Sequence, residues 1–198
     1  SKSDFRRRSC QTVLSLVVEK VSGLIAPVLC HMAEDIWQNI PYSLDEISVF
    51  KRGWPKVPKA WRNNSLNVHV SELRKLRTVI NRMMESCRNN QELGSSLEAE
   101  VRVNISDEKV QAAIDWLSQC ESNKVDVLRD WFLVSSLQIG GEPWAEVLVS
   151  EDNDIGSVDI AKARGIKCER CWHYEFEMSK NQKYLNICHR CEKVVVAI

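Results

Sequence analysis

The residues best equipped for chemistry are four cysteines near the end of the chain, Cys168, Cys171, Cys188 and Cys191, spaced C-x2-C-x16-C-x2-C. Two residues between cysteines let one tight turn aim both sulfurs at a single ion. A second such turn completes a tetrahedron of soft thiolates, the shell zinc prefers. Four thiolates leave no open position for water, so the expected cofactor is one structural zinc that organises a segment too poor in apolar residues to fold alone. Two disulfides, a redox-active C-x-x-C and a rubredoxin-like iron are the competing readings, although redox motifs usually carry one pair and not two at ribbon spacing. His173 and His189 sit beside these cysteines and read as supporting or surface residues.

A four-thiolate zinc shell carries a local charge of roughly −2. Lys167, Arg170, Lys180, Lys183, Arg190 and Lys193 surround it, partly as counter-charges and partly as contacts for a partner. Trp172 directly follows a cysteine. Exposed beside Arg170, it makes a stacking surface for a nucleotide base; turned inward, it is the small core of the knuckle. No other set of residues reads as a catalytic centre. Glu34 and Asp35 are adjacent and point apart on a helix, as at a solvated helix start. His31 reads as packed or capping, and Gly140-Gly141 lacks the length and the lysine of a phosphate loop.

The elements that position these groups are legible from periodicity. Apolar residues recur at helical spacing from Phe5 to Ile25, with Gly23 and Pro27 marking the end of that helix, and again from Pro27 to Ile40. Residues 41–62 form an irregular, proline-containing connection. A third helix is expected from Ser71, as N-cap, to Asn89. Then the period shortens: strands are expected over Leu97–Val103, Phe132–Leu137 and Glu146–Val149, helices over Asp107–Gln119 and Val125–Trp131, and an acidic loop over 151–157. Trp37, Trp54, Trp61, Trp116 and Trp131 lie in apolar patterns and read as core. The fold class is α+β: a helical bundle over 1–92, a small mixed α/β junction over 93–157 and a four-cysteine zinc knuckle over 158–198.

With 198 residues, 44% of them hydrophobic, the chain can bury a real core, and it has no apolar run of membrane-spanning length. The remaining cysteines, Cys10, Cys30, Cys87 and Cys120, are scattered singly through helical patterns, as reduced thiols in a reducing compartment are. The zero net charge hides segregation: residues 51–88 carry ten basic and two acidic side chains, and residues 89–162 carry five basic and fifteen acidic ones. A phosphate backbone attracts such a basic stretch; a solvated helix face is the plainer account of the same charges. The abrupt helical start, with no signal peptide or other targeting segment in view, looks like a cut made inside a longer chain.

Several segments, in order, resemble the C-terminal region of bacterial or organellar isoleucyl-tRNA synthetases. They are Arg8 to Leu14; Ala26-Pro27-Val28-Leu29 with His31, Ala33-Glu34-Asp35-Ile36-Trp37 and Pro41; Ser48-Val49-Phe50 with Gly53-Trp54-Pro55; Leu93-Gly94-Ser95-Ser96-Leu97-Glu98-Ala99-Glu100-Val101; and Lys167-Cys168-Glu169-Arg170-Cys171-Trp172 with Cys188-His189-Arg190-Cys191. The last two together are specific to the isoleucyl enzymes. Cys30, in place of the usual proline or serine, and Glu100, in place of a frequent lysine, depart from the pattern. The two nucleotide-binding signatures of the family, HIGH and KMSKS, are absent. The resemblance implies a class I anticodon-binding helical bundle that grips the anticodon stem-loop of isoleucine tRNA, without the means to activate isoleucine by itself. Arg170 and Trp172 carry over as nucleotide contacts. Lys167 and Arg190 join them beside the zinc, and Arg74, Lys75, Arg77 and Arg82 are phosphate contacts on charge grounds. The implied partners are isoleucine tRNA and the catalytic, ATP-using body of the same parent ligase, in a monomer, in the cytoplasm of a bacterium or in a chloroplast or mitochondrion. A protein-docking zinc knuckle and a nonspecific nucleic-acid binder are the alternative functions.

Overall fold

The computed structural model describes residues 4–119 and 126–196, so Cys120 and Val125 lie outside the described residues. The chain divides into two compact units, one ending at Arg62 and one starting at Asn63.

The first unit is built on α1 (Phe5–Ile25) and α2 (Cys30–Gln38). Asp4 caps α1 by accepting the Arg7 N–H at 3.0 Å. α1 ends at Ile25, where the sequence reading ends it, and Gly23 lies within its last turn. Its role is close approach, because a Cβ at Gly23 would stand 2.7 Å from the Pro55 ring. The small core is Ala26, Ala33, Trp37 and Val49, and the Trp37 indole N–H donates to the Glu46 carbonyl at 2.9 Å. Glu34 is no solvated helix start: its carboxylate accepts from the Ser48 hydroxyl, the Val49 N–H and the Gln38 amide, and so pins the irregular connection to α2. The bond from Gln38 does most to hold that carboxyl below its ordinary range. His31 is exposed rather than packed, as are Trp54 and Trp61, which the apolar pattern assigns to the core.

The second unit is a four-stranded sheet covered on one face by helices. Its elements are α3 (Asn64–Asn89), β1 (Ala99–Ile105), α4 (Glu108–Gln119), α5 (Val127–Phe132), β2 (Ser136–Ile139), β3 (Val149–Asn153), β4 (Gly156–Lys162), β5 (Ile166–Lys167), β6 (Tyr174–Glu175) and α6 (His189–Val196). The sheet order is β2-β1-β4-β3, with β1 parallel to β2 and antiparallel to β4. Alternation sorts the faces. Val101 and Val103 of β1, paired with Ile160 and Val158 of β4, meet Leu73, Leu76, Ile80 and Met84 of α3 and Val110 and Ile114 of α4. The intervening residues, Glu100 and Arg102, face the other way and are buried in ion pairs. Arg102 bonds Asp159 through Nε at 2.8 Å, and Glu100 meets Arg164 at 2.6 Å. The departure at residue 100 therefore comes with its own cationic partner.

Several boundaries differ from the sequence reading: β1 lies two residues later than expected, and the strand expected over 146–149 begins only at Val149. α3 starts seven residues before Ser71 because Asn63 caps it, accepting the Leu66 N–H at 3.0 Å. Phe132 closes α5, where Leu133 takes a left-handed conformation, and the strand begins only at Ser136. The acidic segment expected as a loop is largely a hairpin, because Glu151 and Asp152 pair with Val158 and Ser157 in β3 and β4.

Candidate zinc centre and nucleic-acid interface

Each cysteine pair is held by its own backbone turn. In the first, the Cys168 N–H donates to the His173 carbonyl and the Trp172 N–H to the Cys168 carbonyl, both at 2.9 Å, so the chain folds back on itself and pairs β5 with β6. In the second, Cys188 precedes α6 and Cys191 lies in its first turn. Cys188 also forms a bridge with Met178, and its N–H reaches the Cys168 sulfur at 3.2 Å. These turns bring the four sulfurs within 4.8 Å of one another.

A tetrahedron with zinc–sulfur bonds near 2.3 Å has edges of about 3.8 Å. The Cys171 and Cys188 sulfurs are 3.8 Å apart, and the seven described cysteines are all free thiols. The donor set thus fits one tetrahedral, structural zinc. The charges of the metal-free thiols point the same way. Burial opposes ionisation of Cys168, but the N–H groups of Cys171, Cys188 and Arg170 outweigh it and bring the thiol down to about 6. Burial, together with the neighbouring sulfurs, pushes Cys188 up to about 12 and also raises Cys171. The Cys168 thiolate forms readily, whereas Cys171 and Cys188 are held protonated until a dication relieves the repulsion. His173 is buried and outside the sulfur cluster. Desolvation, followed by the Arg129 and Arg190 charges, lowers its pKa.

The zinc segment is fastened to the sheet layer, a feature with no local signature in the sequence. Arg129 of α5 pairs with Glu175 at 2.9 Å, Asp130 with Arg190 at 3.9 Å, and the Tyr174 N–H donates to the Ser135 hydroxyl at 2.8 Å. Arg129, Asp130 and Ser135 lie more than thirty residues from the cysteines they help to position.

The basic residues named above separate into engaged and free groups. Arg190 is half-buried. Burial disfavours its charge, but bonding to Cys171 and the potential of the sulfurs and Asp130 raise its pKa, so it serves as a counter-charge. Arg170 donates to the Cys191 sulfur at 3.5 Å while its side chain is exposed, and Lys167 approaches Glu98 at 3.9 Å. On α3, Lys75 pairs with Glu72 at 2.8 Å and Arg82 with Glu151 at 2.5 Å, whereas Arg74 and Arg77 make no ion pair among the described residues. Trp172 is 63% exposed and has φ +66°, a left-handed backbone that glycine adopts freely and tryptophan only under strain. It is not the core of the knuckle.

Comparison with known proteins fits this geometry. Residues 1–103 match the family described as "Anticodon-binding domain of tRNA ligase", and the chain belongs to that family. Residues 165–194 match the "Zinc finger found in FPG and IleRS", the segment that carries all four cysteines. Its relatives are isoleucine–tRNA ligases: that of Prochlorococcus marinus strain NATL1A is 83% identical over 198 residues, that of strain MIT 9211 57% over 192, and that of Parasynechococcus marenigrum strain WH8102 53% over 193. The matches take in 97–100% of this chain and only 20% of each relative, so the chain spans about a fifth of their length. No helix among the described residues is long and apolar enough to cross a membrane.

Proposed function

We propose that the chain recognises the anticodon stem-loop of isoleucine tRNA, as part of a ligase that attaches isoleucine to that tRNA at the expense of ATP. The carrying observation is Trp172: a strained, largely exposed indole on a zinc-held knuckle, two residues after Arg170, whose exposed side chain reaches the Cys191 sulfur. Neither strain nor exposure stabilises the fold, whereas an unpaired base stacked on the ring makes use of both. In this reading Trp172 and Arg170 contact nucleotides, Arg74 and Arg77 supply free phosphate contacts, and Lys75, Arg82 and Lys167 join them by releasing carboxylate partners at the surface. Arg190 acts indirectly, by balancing the sulfurs.

In this reading residues 1–92 grip the stem-loop, 93–157 connect and 158–198 read bases. The chain acts as a monomer in the bacterial cytoplasm, in keeping with its cyanobacterial relatives. The exposed apolar stripe of α1, including Leu14, Val17 and Val21, lines a groove of about 830 Å³, which supports packing against the catalytic body of a longer ligase.

The test is binding of the zinc-loaded chain to isoleucine tRNA, to the same tRNA with a changed anticodon, and to a non-cognate tRNA, over a salt series. Preference for the first, with affinity falling steeply as salt rises, is the expected result. Equal binding to all three would make the chain a nonspecific binder, and no binding at low salt would favour a protein-docking knuckle.

A further inference from the structure

Beyond Trp172, the zinc knuckle carries a second concave site. A pocket of about 550 Å³ is lined by Phe176, Glu177, Met178, Lys180, His189 and Glu192. It straddles the two halves of the metal site, because Met178 bridges to Cys188 and the His189 N–H reaches the Glu177 carbonyl at 3.4 Å. The zinc that fixes Cys188 therefore also sets the pocket walls. Phe176 is 75% exposed, a flat apolar ring with no structural use. Glu192 is occupied by the His189 ring at 3.4 Å. Glu177 and Lys180 line the same pocket, yet among the described residues neither side chain makes an ion pair or hydrogen bond.

An aromatic face, a free carboxylate and a free ammonium are the three groups that an unpaired nucleotide with an exocyclic amine can use at once. The base stacks on the ring, its amino group donates to the carboxylate, and its phosphate meets the ammonium. We infer that this pocket is a second nucleotide subsite, selective for adenine or cytosine over uracil, with Phe176 as the stacking platform, Glu177 as the amine acceptor and Lys180 as the phosphate contact. A base with carbonyls where the amine should be leaves Glu177 facing another acceptor, so discrimination comes from an unfavourable contact as much as from a favourable one.

The inference rests on the RNA-binding reading above, and its test separates the two. The zinc-loaded chain is titrated with AMP, CMP and UMP while resonances of Phe176, Met178, His189 and Trp172 are followed by NMR. AMP and CMP should shift the first three about 10-fold more tightly than UMP. Glu177→Gln should abolish the preference and Phe176→Ala should weaken all three, each with zinc content and the Trp172 resonances of the free protein unchanged. Equal responses to the three nucleotides, or a preference that survives Glu177→Gln, would overturn the subsite. Shifts confined to Trp172 would also overturn it, while leaving the RNA-binding reading intact.

Discussion

The sheet layer and the zinc knuckle share one compact unit and are held together by different physics. The sheet layer buries Leu73, Leu76, Ile80, Val101, Val103, Phe132, Val158 and Ile160 to 0% exposure, and its aromatic ring Phe132 points inward. In the knuckle the fully buried apolar positions are three of the cysteines, while Trp172, Phe176, Leu185 and Val196 are exposed. A segment that uses its large side chains as core has none left for a partner. Once a metal provides cohesion, the rings are released to the surface. Zinc here stands in for a core, and the large side chains it replaces stay at the surface.

The contrast can be broken by taking away what holds each part. Cys188→Ser removes one zinc ligand. It should abolish stoichiometric zinc and disorder residues 166–196, with the sheet layer intact. Metal analysis and residue-resolved hydrogen exchange check this, and a knuckle that stays protected without metal would refute the division. Proton release is a related measure. At pH 7 the metal-free site holds Cys168 ionised but Cys171 and Cys188 protonated, so zinc uptake should expel at least the protons of those two thiols, and apparent affinity should rise with pH through the neutral range. Calorimetry in buffers of different ionisation enthalpy counts them.

Leu76→Ala should cost the sheet layer about 2–5 kcal/mol in urea unfolding while zinc stoichiometry stays at one. Trp172 sharpens the comparison further. Replacing it with alanine should weaken isoleucine-tRNA binding by about 1–3 kcal/mol, as the loss of a stacked base does, with zinc retained. Trp172→Gly should weaken binding equally yet leave the knuckle about 1 kcal/mol more stable than Trp172→Ala, because only glycine takes φ +66° without strain. Unequal binding by the two variants would mean that the backbone, not the ring, matters to RNA. At the small end, Arg82→Ala removes an exposed pair with Glu151 and should change stability by less than about 1 kcal/mol, with a modest reduction in the salt dependence of tRNA binding.

Legibility from sequence followed the range of the interaction. The zinc site could be read in full because C-x2-C encodes a turn, and a turn is local. The α+β class and the existence of the third helix followed from periodicity. Side-chain character misled where backbone pairing decided, as in Glu151 and Asp152 of β3, acidic residues that pair as a strand. It also misled where apolar residues stay exposed, as at Trp54 and Trp61, since periodicity reports an apolar face and not whether anything covers it. The ties of Arg129, Asp130 and Ser135 to the knuckle were invisible because nothing in their neighbourhood hints at a partner so far along the chain.

Those three ties have a consequence of their own. One attachment would let the knuckle pivot, and two would leave it a hinge axis. Three attachments restrict its orientation, so the sheet layer aims the rings as a mount aims an instrument. Variants at Arg129, Asp130 and Ser135, distant in sequence from every cysteine and every exposed ring of the knuckle, should therefore appear as errors in which RNA is chosen, with metal content nearly unchanged.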